Sequence, residues 1–274
     1  MADREKSGKQ AEKAYRNLRF MEGPDARPLR LLAEYLEPLE RFEDSHIRDT
    51  VLVFGSARIK SREAAEKALA DAKAGNGDVS LAERDLRMSR YYEDTRDLTF
   101  RLTDWSKQLD QTERRFVICT GGGPGIMEAA KRGASEAKGV NIGLGISLPH
   151  EQENNPFITR RLDFQFHYFF MRKFWFLYMA KAVVLMPGGF GTLDELFESL
   201  TLVQTGKIRK SLPIILYGRD FWDRFLDFDV LVEYGTISPD DVELFHKVDT
   251  VDEAFNIVTC KLLEEALGKP GLCL

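Results

Sequence analysis

Short apolar runs recur along the chain, most of them ending in a glycine-bearing loop or leading into a segment of helical spacing. The first is Thr50-Val51-Leu52-Val53-Phe54, which ends in Gly55-Ser56-Ala57-Arg58. Phe116-Val117-Ile118-Cys119 leads into Gly121-Gly122-Gly123-Pro124-Gly125. Asn141–Ser147, Ala182–Met186 and Leu212–Tyr217 read as further strands. Between and after them, Ile126–Lys138, Tyr168–Lys181, Leu193–Gln204, 219–234 and 252–267 read as helices. Pro124 suits the first turn of its helix, where a missing N–H costs little. Short, continuously apolar strands alternating with helices predict an α/β fold, a parallel sheet with helices on both faces. In such sheets ligands sit beyond the carboxyl ends of the strands. Three glycine-bearing loops follow strands here, after Phe54, Cys119 and Met186.

The amino-terminal third is more polar. Residues 1–15 are charged and predicted mobile, and 28–43 predict one or two short helices around Pro38. Residues 60–90, rich in Ala, Lys, Glu and Asp, predict a solvated helical insertion with a turn at Gly75-Asn76-Gly77. An amphipathic helix over 91–109 carries Tyr91, Leu98, Leu102 and Trp105 inward. The expected division is an extension over 1–48 and one nucleotide-binding domain over 49–267. A net charge of −5 argues against a general nucleic-acid binder. Three cysteines (Cys119, Cys260, Cys273) are too few and too scattered for a disulfide framework, which fits a reducing cytoplasm. MADREKSGKQAEK shows no apolar signal core. The most apolar stretch, 174–186, is too short to span a bilayer and carries Lys181, so it reads as core and no membrane partner is expected.

The loops are suited to phosphate without matching common nucleotide hardware. A dinucleotide fingerprint starting at Gly121 would need glycine where Ile126 stands, and no P-loop pattern occurs. His46, His150, His167 and His246 have no metal-ligand spacing, so no metal and no cofactor is expected; His150 reads as a surface histidine. No nucleophile elbow is present. The most telling stretch is LMPGGFGTLDELFE (185–198), where three glycines and a proline stand at a strand-to-helix junction. Glycine permits close backbone approach to a ligand, and a helix start presents free N–H groups. Thr192-Leu193-Asp194-Glu195 also fits a capping box, with Thr192 as N-cap and Glu195 folded back onto it. Glu195 is therefore either a cap or a carboxylate held beside a bound anion, and Glu198 reads as solvated helix face. Arg172 and Lys173 lie in the aromatic run FHYFFMRKFWF. A buried arginine needs a partner or a ligand. Either Arg172 pairs with Asp163 or Glu195 while Lys173 reaches solvent, or both meet PGGFGT at one sheet edge.

Taken together, Pro187–Glu195 (the pattern PGGxGTxxE), the preceding Met171-Arg172-Lys173 and the GGGPGIMEAA loop at 121–130 resemble the LONELY GUY (LOG) family, often labelled possible lysine decarboxylases, over roughly 50–265. The resemblance implies a Rossmann-like fold, a homodimer or higher homo-oligomer, and phosphoribohydrolase activity. In that reaction a nucleoside 5′-monophosphate, AMP or a cytokinin riboside monophosphate, yields free base and ribose 5-phosphate. It implies Arg172 and Glu195 as the catalytic pair. Lys173 and Met171 would line the substrate, with Gly188, Gly189, Phe190, Gly191, Thr192, Leu193, Asp194 and Thr201. Ser56, Gly121, Gly122, Gly123 and Glu128 would be nearby contacts. Nothing marks the pyridoxal-phosphate lysine that a decarboxylase would need. The extension, the 60–90 insertion and the PHEQENNPFITRRLDFQFHYFF segment resemble longer bacterial members. The rival reading is a nucleotide- or cofactor-binding protein without turnover, such as a molybdenum-cofactor carrier.

Overall fold

All the apolar runs read as strands are strands in the computed structural model, which describes residues 11–109, 112–147 and 155–269. His150, Cys273 and the first ten residues lie outside the described residues. The strands are β1 (Thr50–Phe54), β2 (Val117–Gly121), β3 (Asn141–Ile146), β4 (Asp163–Phe166), β5 (Ala180–Leu185), β6 (Ile214–Tyr217) and β7 (Phe245–Val248). They form one parallel sheet of order β4-β3-β2-β1-β5-β6-β7.

Two strands, β4 and β7, were not legible as apolar runs. They form the two edges, and only two of the four residues in each of DFQF and FHKV are buried, whereas β1, β2, β5 and β6 are buried at every position. An edge strand half-faces water, so its sequence reads as polar loop.

The helices are α1 (Leu18–Met21), α2 (Arg27–Asp44), α3 (Arg62–Lys73), α4 (Val79–Lys107), α5 (Ile126–Glu136), α6 (Phe169–Met179), α7 (Phe190–Gln204), α8 (Arg219–Phe225), α9 (Phe228–Glu233) and α10 (Val251–Lys261). Several differ from expectation. Residues 28–43 make one helix, with Pro38 buried inside it. The helix expected over 91–109 continues backwards without a breaker to an Asp78 cap, giving α4 29 residues. Its amino-terminal half is not simply solvated, because Ala82, Ser89, Tyr91 and Tyr92 are buried. The 219–234 segment breaks at Leu226-Asp227 into α8 and α9, and α10 ends in a π-helical turn, Leu262–Ala266.

Successive strand residues point to opposite faces. Leu52, Phe54, Val183 and Leu185 meet Phe42, Trp175, Leu196 and Trp222 of α2, α6, α7 and α8. Val51, Val53, Ala182 and Val184 meet Tyr91, Leu98, Ile126 and Val258 of α4, α5 and α10. Among the described residues no helix is long and apolar enough to cross a membrane.

At the amino ends of the strands a buried ion pair ties three segments together. Arg115 Nε donates to Asp49 Oδ2 at 2.8 Å, and its other nitrogens donate to the Ala266 and Leu267 carbonyls, each at 2.9 Å. Asp49 also accepts from the Phe116 N–H at 2.9 Å. Burial raises the Asp49 pKa in spite of this partner. Removing one member of such a pair leaves an uncompensated charge and orphaned carbonyls. Arg115→Met is expected to lose about 3–5 kcal/mol of unfolding free energy, measured by urea denaturation; a loss under about 1 kcal/mol would refute this clamp.

Candidate active site

The strand order reverses between β1 and β5, which opens a crevice beyond their carboxyl ends. Backbone hydrogen bonds tie the three loops there. The Met186 N–H donates to Phe54 O at 2.8 Å, Ser56 N–H to Pro187 O at 3.1 Å, and Ile126 N–H to Ser56 O at 3.1 Å. Glycine is required at position 125, whose φ is +69° and where a Cβ would lie 2.5 Å from Ser56 O.

The helix after PGG begins earlier than its sequence suggests. α7 starts at Phe190 with Gly189 as N-cap and no side-chain cap, so the capping box expected from Thr192 and Glu195 does not form. Thr192 instead packs under Gly188, where a Cβ would lie 2.1 Å from Thr192 Oγ1. Gly189 and Gly191 are different. Neither has a left-handed φ, and a Cβ at either would meet no non-neighbouring atom of the described residues within 4 Å. The fold itself does not need glycine there. Phe190 between them is 93% exposed.

Released from the capping role, Glu195 points inward and is 3% exposed. Its Oε2 has no hydrogen-bond partner among the described residues. Burial pushes its pKa up to about 7, with Lys173 and Arg172 pulling down and Glu198 and Asp194 pushing up. Arg172 approaches from the first turns of α6, since a helix leading into β5 begins near the carboxyl end of that strand. Its Nε is buried and unpartnered among the described residues, and its guanidinium carbon lies 4.4 Å from the Phe169 ring centre. Burial lowers its pKa, opposed by Glu195 and Asp194. The expected ion pair with Asp163 or Glu195 is absent among the described residues; Arg172 and Glu195 interact across a gap. A buried carboxylate and a half-buried cation, neither saturated among the described residues, leave capacity for a third charged or polar group.

Lys173 does not reach solvent as a free charge. Its Nζ lies 2.7 Å from Asp194 Oδ2 and 2.9 Å from Glu198 Oε2. Burial would lower its pKa, but these two carboxylates outweigh it and raise it. Glu198 is thus half-buried in an ion pair, not on a solvated face.

The other predicted residues fall into two groups. Ser56, Gly121, Gly122, Gly123 and Glu128 belong to the linked loops and the start of α5. Glu128 Oε1 accepts from the Tyr92 hydroxyl at 2.6 Å, which ties it to α4. Met171 and Leu193 pack against the core beside Arg172 and Glu195. Thr201 is exposed and donates to Phe197 O at 2.6 Å, away from the face of α7 that carries Glu195. Sequence reasoning missed Lys131, which is 0% exposed and donates from Nζ to Gly121 O at 2.9 Å, under the first glycine of the loop. Burial pushes its pKa down to about 8 against the attraction of Asp163 and Glu128. A lysine on the otherwise apolar inner face of α5, two turns after a glycine loop, was the available signal. Among the described residues no group of His, Cys, Asp or Glu could hold a metal ion.

The profile of the family described as "Possible lysine decarboxylase" matches residues 127–258. A cytokinin riboside 5′-monophosphate phosphoribohydrolase, LOG7 of Arabidopsis thaliana, is 34% identical over 102 residues, 33% of this chain and 46% of that protein. The corresponding LOG protein of Oryza sativa subsp. japonica is 44% identical over 63 residues, 22% of this chain and 25% of its own length. The chain therefore spans less than half the length of these curated relatives. Among solved structures, a molybdenum cofactor carrier protein from Chlamydomonas reinhardtii superimposes with a TM-score of 0.48 at 16% identity, over 79% of this chain and 99% of that one. Met171–Lys173 and Pro187–Glu195 both lie inside the region over which the chain is similar to the possible lysine decarboxylase family, and the LOG proteins are its distant, partial relatives.

Proposed function

We propose that this protein hydrolyses the N-glycosidic bond of a nucleoside 5′-monophosphate, AMP or a cytokinin riboside monophosphate, giving free base and ribose 5-phosphate. The observation that carries the reading is the buried, unsaturated Glu195 carboxylate facing Arg172 at the start of α7. Breaking a glycosidic bond builds positive charge on the ribose, and a carboxylate stabilises that charge or activates the attacking water. The water oxygen bonds to C1′, the C1′–N bond breaks, and the base leaves with a proton. Arg172 holds phosphate or ribose and favours the ionised form of Glu195. The free N–H groups at the start of α7 take the 5′-phosphate. Open space over Gly189 and Gly191 is what a ligand lying against that backbone requires. Lys173 and Asp194 sit at the rim, where the substrate would meet them. The exposed rings of Phe169, Phe170, Phe190 and Phe197 are the surface a second copy would cover in a homodimer.

Incubation with a panel of nucleoside 5′-monophosphates, followed by chromatography, is expected to release adenine from AMP and none from adenosine. No free base from any nucleotide would overturn the enzyme reading and leave the binder. Glu195→Gln is expected to abolish release while AMP still binds. Glu195 must be ionised to act, so kcat falls as pH drops through its pKa of about 7. A phosphate dianion nearby raises that value further, placing the midpoint at or above 7 in the complex. A flat profile between pH 5.5 and 8.5 would contradict the assignment. Gly191→Ala separates fold from ligand. It is expected to stabilise α7 by up to about 1 kcal/mol in thermal melts while raising the KM for AMP. Unchanged KM would show that the open space serves no substrate.

A further inference from the structure

α6, which carries Arg172, has no cap of its own. Its N-cap residue is Tyr168, whose side chain makes no capping hydrogen bond. The cap comes from the amino-terminal helix α2. Glu34 Oε1 accepts from the His167 N–H at 2.7 Å, and Glu34 Oε2 accepts from the Tyr168 N–H at 3.2 Å. A carboxylate at that end also complements the helix dipole. The capped residue leads directly to the site, because Tyr168 O accepts the amide N–H of Arg172 at 3.3 Å. α2 is itself anchored to α6. Arg30 Nε donates to the Tyr168 hydroxyl at 3.2 Å, and Trp175 Nε1 donates to Glu34 O at 3.0 Å. Further along, Arg41 grips the backbone leading into β4, donating to Arg161 O at 2.9 Å and Asp163 O at 2.7 Å.

From this chain of contacts we propose that Glu34 is a positioning residue, holding the start of α6 so that Arg172 stands opposite Glu195. The amino-terminal helix is then part of the site's support and not an appendage. The proposal rests on the reading that Arg172 acts on a bound nucleotide. Among the described residues Arg172 has no hydrogen bond at Nε to fix it, so its place depends on where α6 begins. Glu34 reaches Arg172 only through backbone, so it acts on binding by geometry.

The test is AMP binding by calorimetry in a Glu195→Gln background, where no turnover occurs. Glu34→Ala and Arg172→Ala are added singly and together, with thermal melts alongside. Glu34→Ala is expected to weaken AMP about tenfold, Glu34→Gln less, since one acceptor remains. In the Arg172→Ala background, Glu34→Ala should weaken AMP no further. A lowered melting temperature with unchanged AMP affinity overturns the proposal, as does an effect that adds in full to that of Arg172→Ala. Failure of the Glu195→Gln protein to bind AMP at all overturns the nucleotide reading and this proposal with it. Binding that ignores Glu34 overturns this proposal alone.

Discussion

Two backbone hydrogen bonds at Ser56, one donated to Pro187 and one accepted from Ile126, hold the loops after β1, β2 and β5 in a single rim. The bonds can form because β1 is the central strand and the sheet order reverses beside it, bringing loops distant in sequence to adjacent strand ends. The geometry of the crevice follows from this rim. α5 and α7 both start at it, and α6 ends in β5 so that its own start returns to the same edge. Glu195 and Arg172 come from different helices but face each other because those helices are anchored to neighbouring points.

The two ends of the sheet treat buried charge in opposite ways. At the amino ends Asp49 and Arg115 are saturated, by each other, by Phe116 and by two carbonyls near the carboxyl-terminal turn. At the carboxyl ends Glu195 and Arg172 each keep a buried atom without a partner among the described residues. A fold selected only for stability would satisfy such groups or replace them with apolar ones. Leaving them unsatisfied is what a site for a polar, anionic ligand requires. The similarity to the family over residues 127–258 and the partial likeness to phosphoribohydrolase relatives agree with that chemistry, and the activity itself is our proposal.

Much of this was legible in the sequence, and the failures have physical causes. The central strands announced themselves because both of their faces are buried. β4 and β7 did not, since each edge strand carries polar residues outward. Topology alone set the start of α6 near the carboxyl end of β5, where the Lys173–Asp194 ion pair joins α6 to α7. The cap reading of Glu195 fails because α7 begins at Gly-Phe-Gly, a poor helix start by propensity, anchored at Gly189 and packed through Thr192. That shift of three residues turned Glu195 from a cap into an inward carboxylate. Glu34 and Tyr92 could not be found by local pattern, because each acts on a residue brought near only by the tertiary fold.

The most direct measurement compares the thermal stability of the wild type with Glu195→Gln from pH 5 to pH 8. A carboxyl whose pKa rises on folding, here from 4.5 to about 7, favours the folded state at low pH and loses that contribution as pH climbs between those values. The account predicts a difference within about 1 kcal/mol at pH 5 that grows with pH, until at pH 8 the variant is more stable than wild type by on the order of 3 kcal/mol. A variant less stable at every pH, by the ~1 kcal/mol of a lost helix cap, would contradict it.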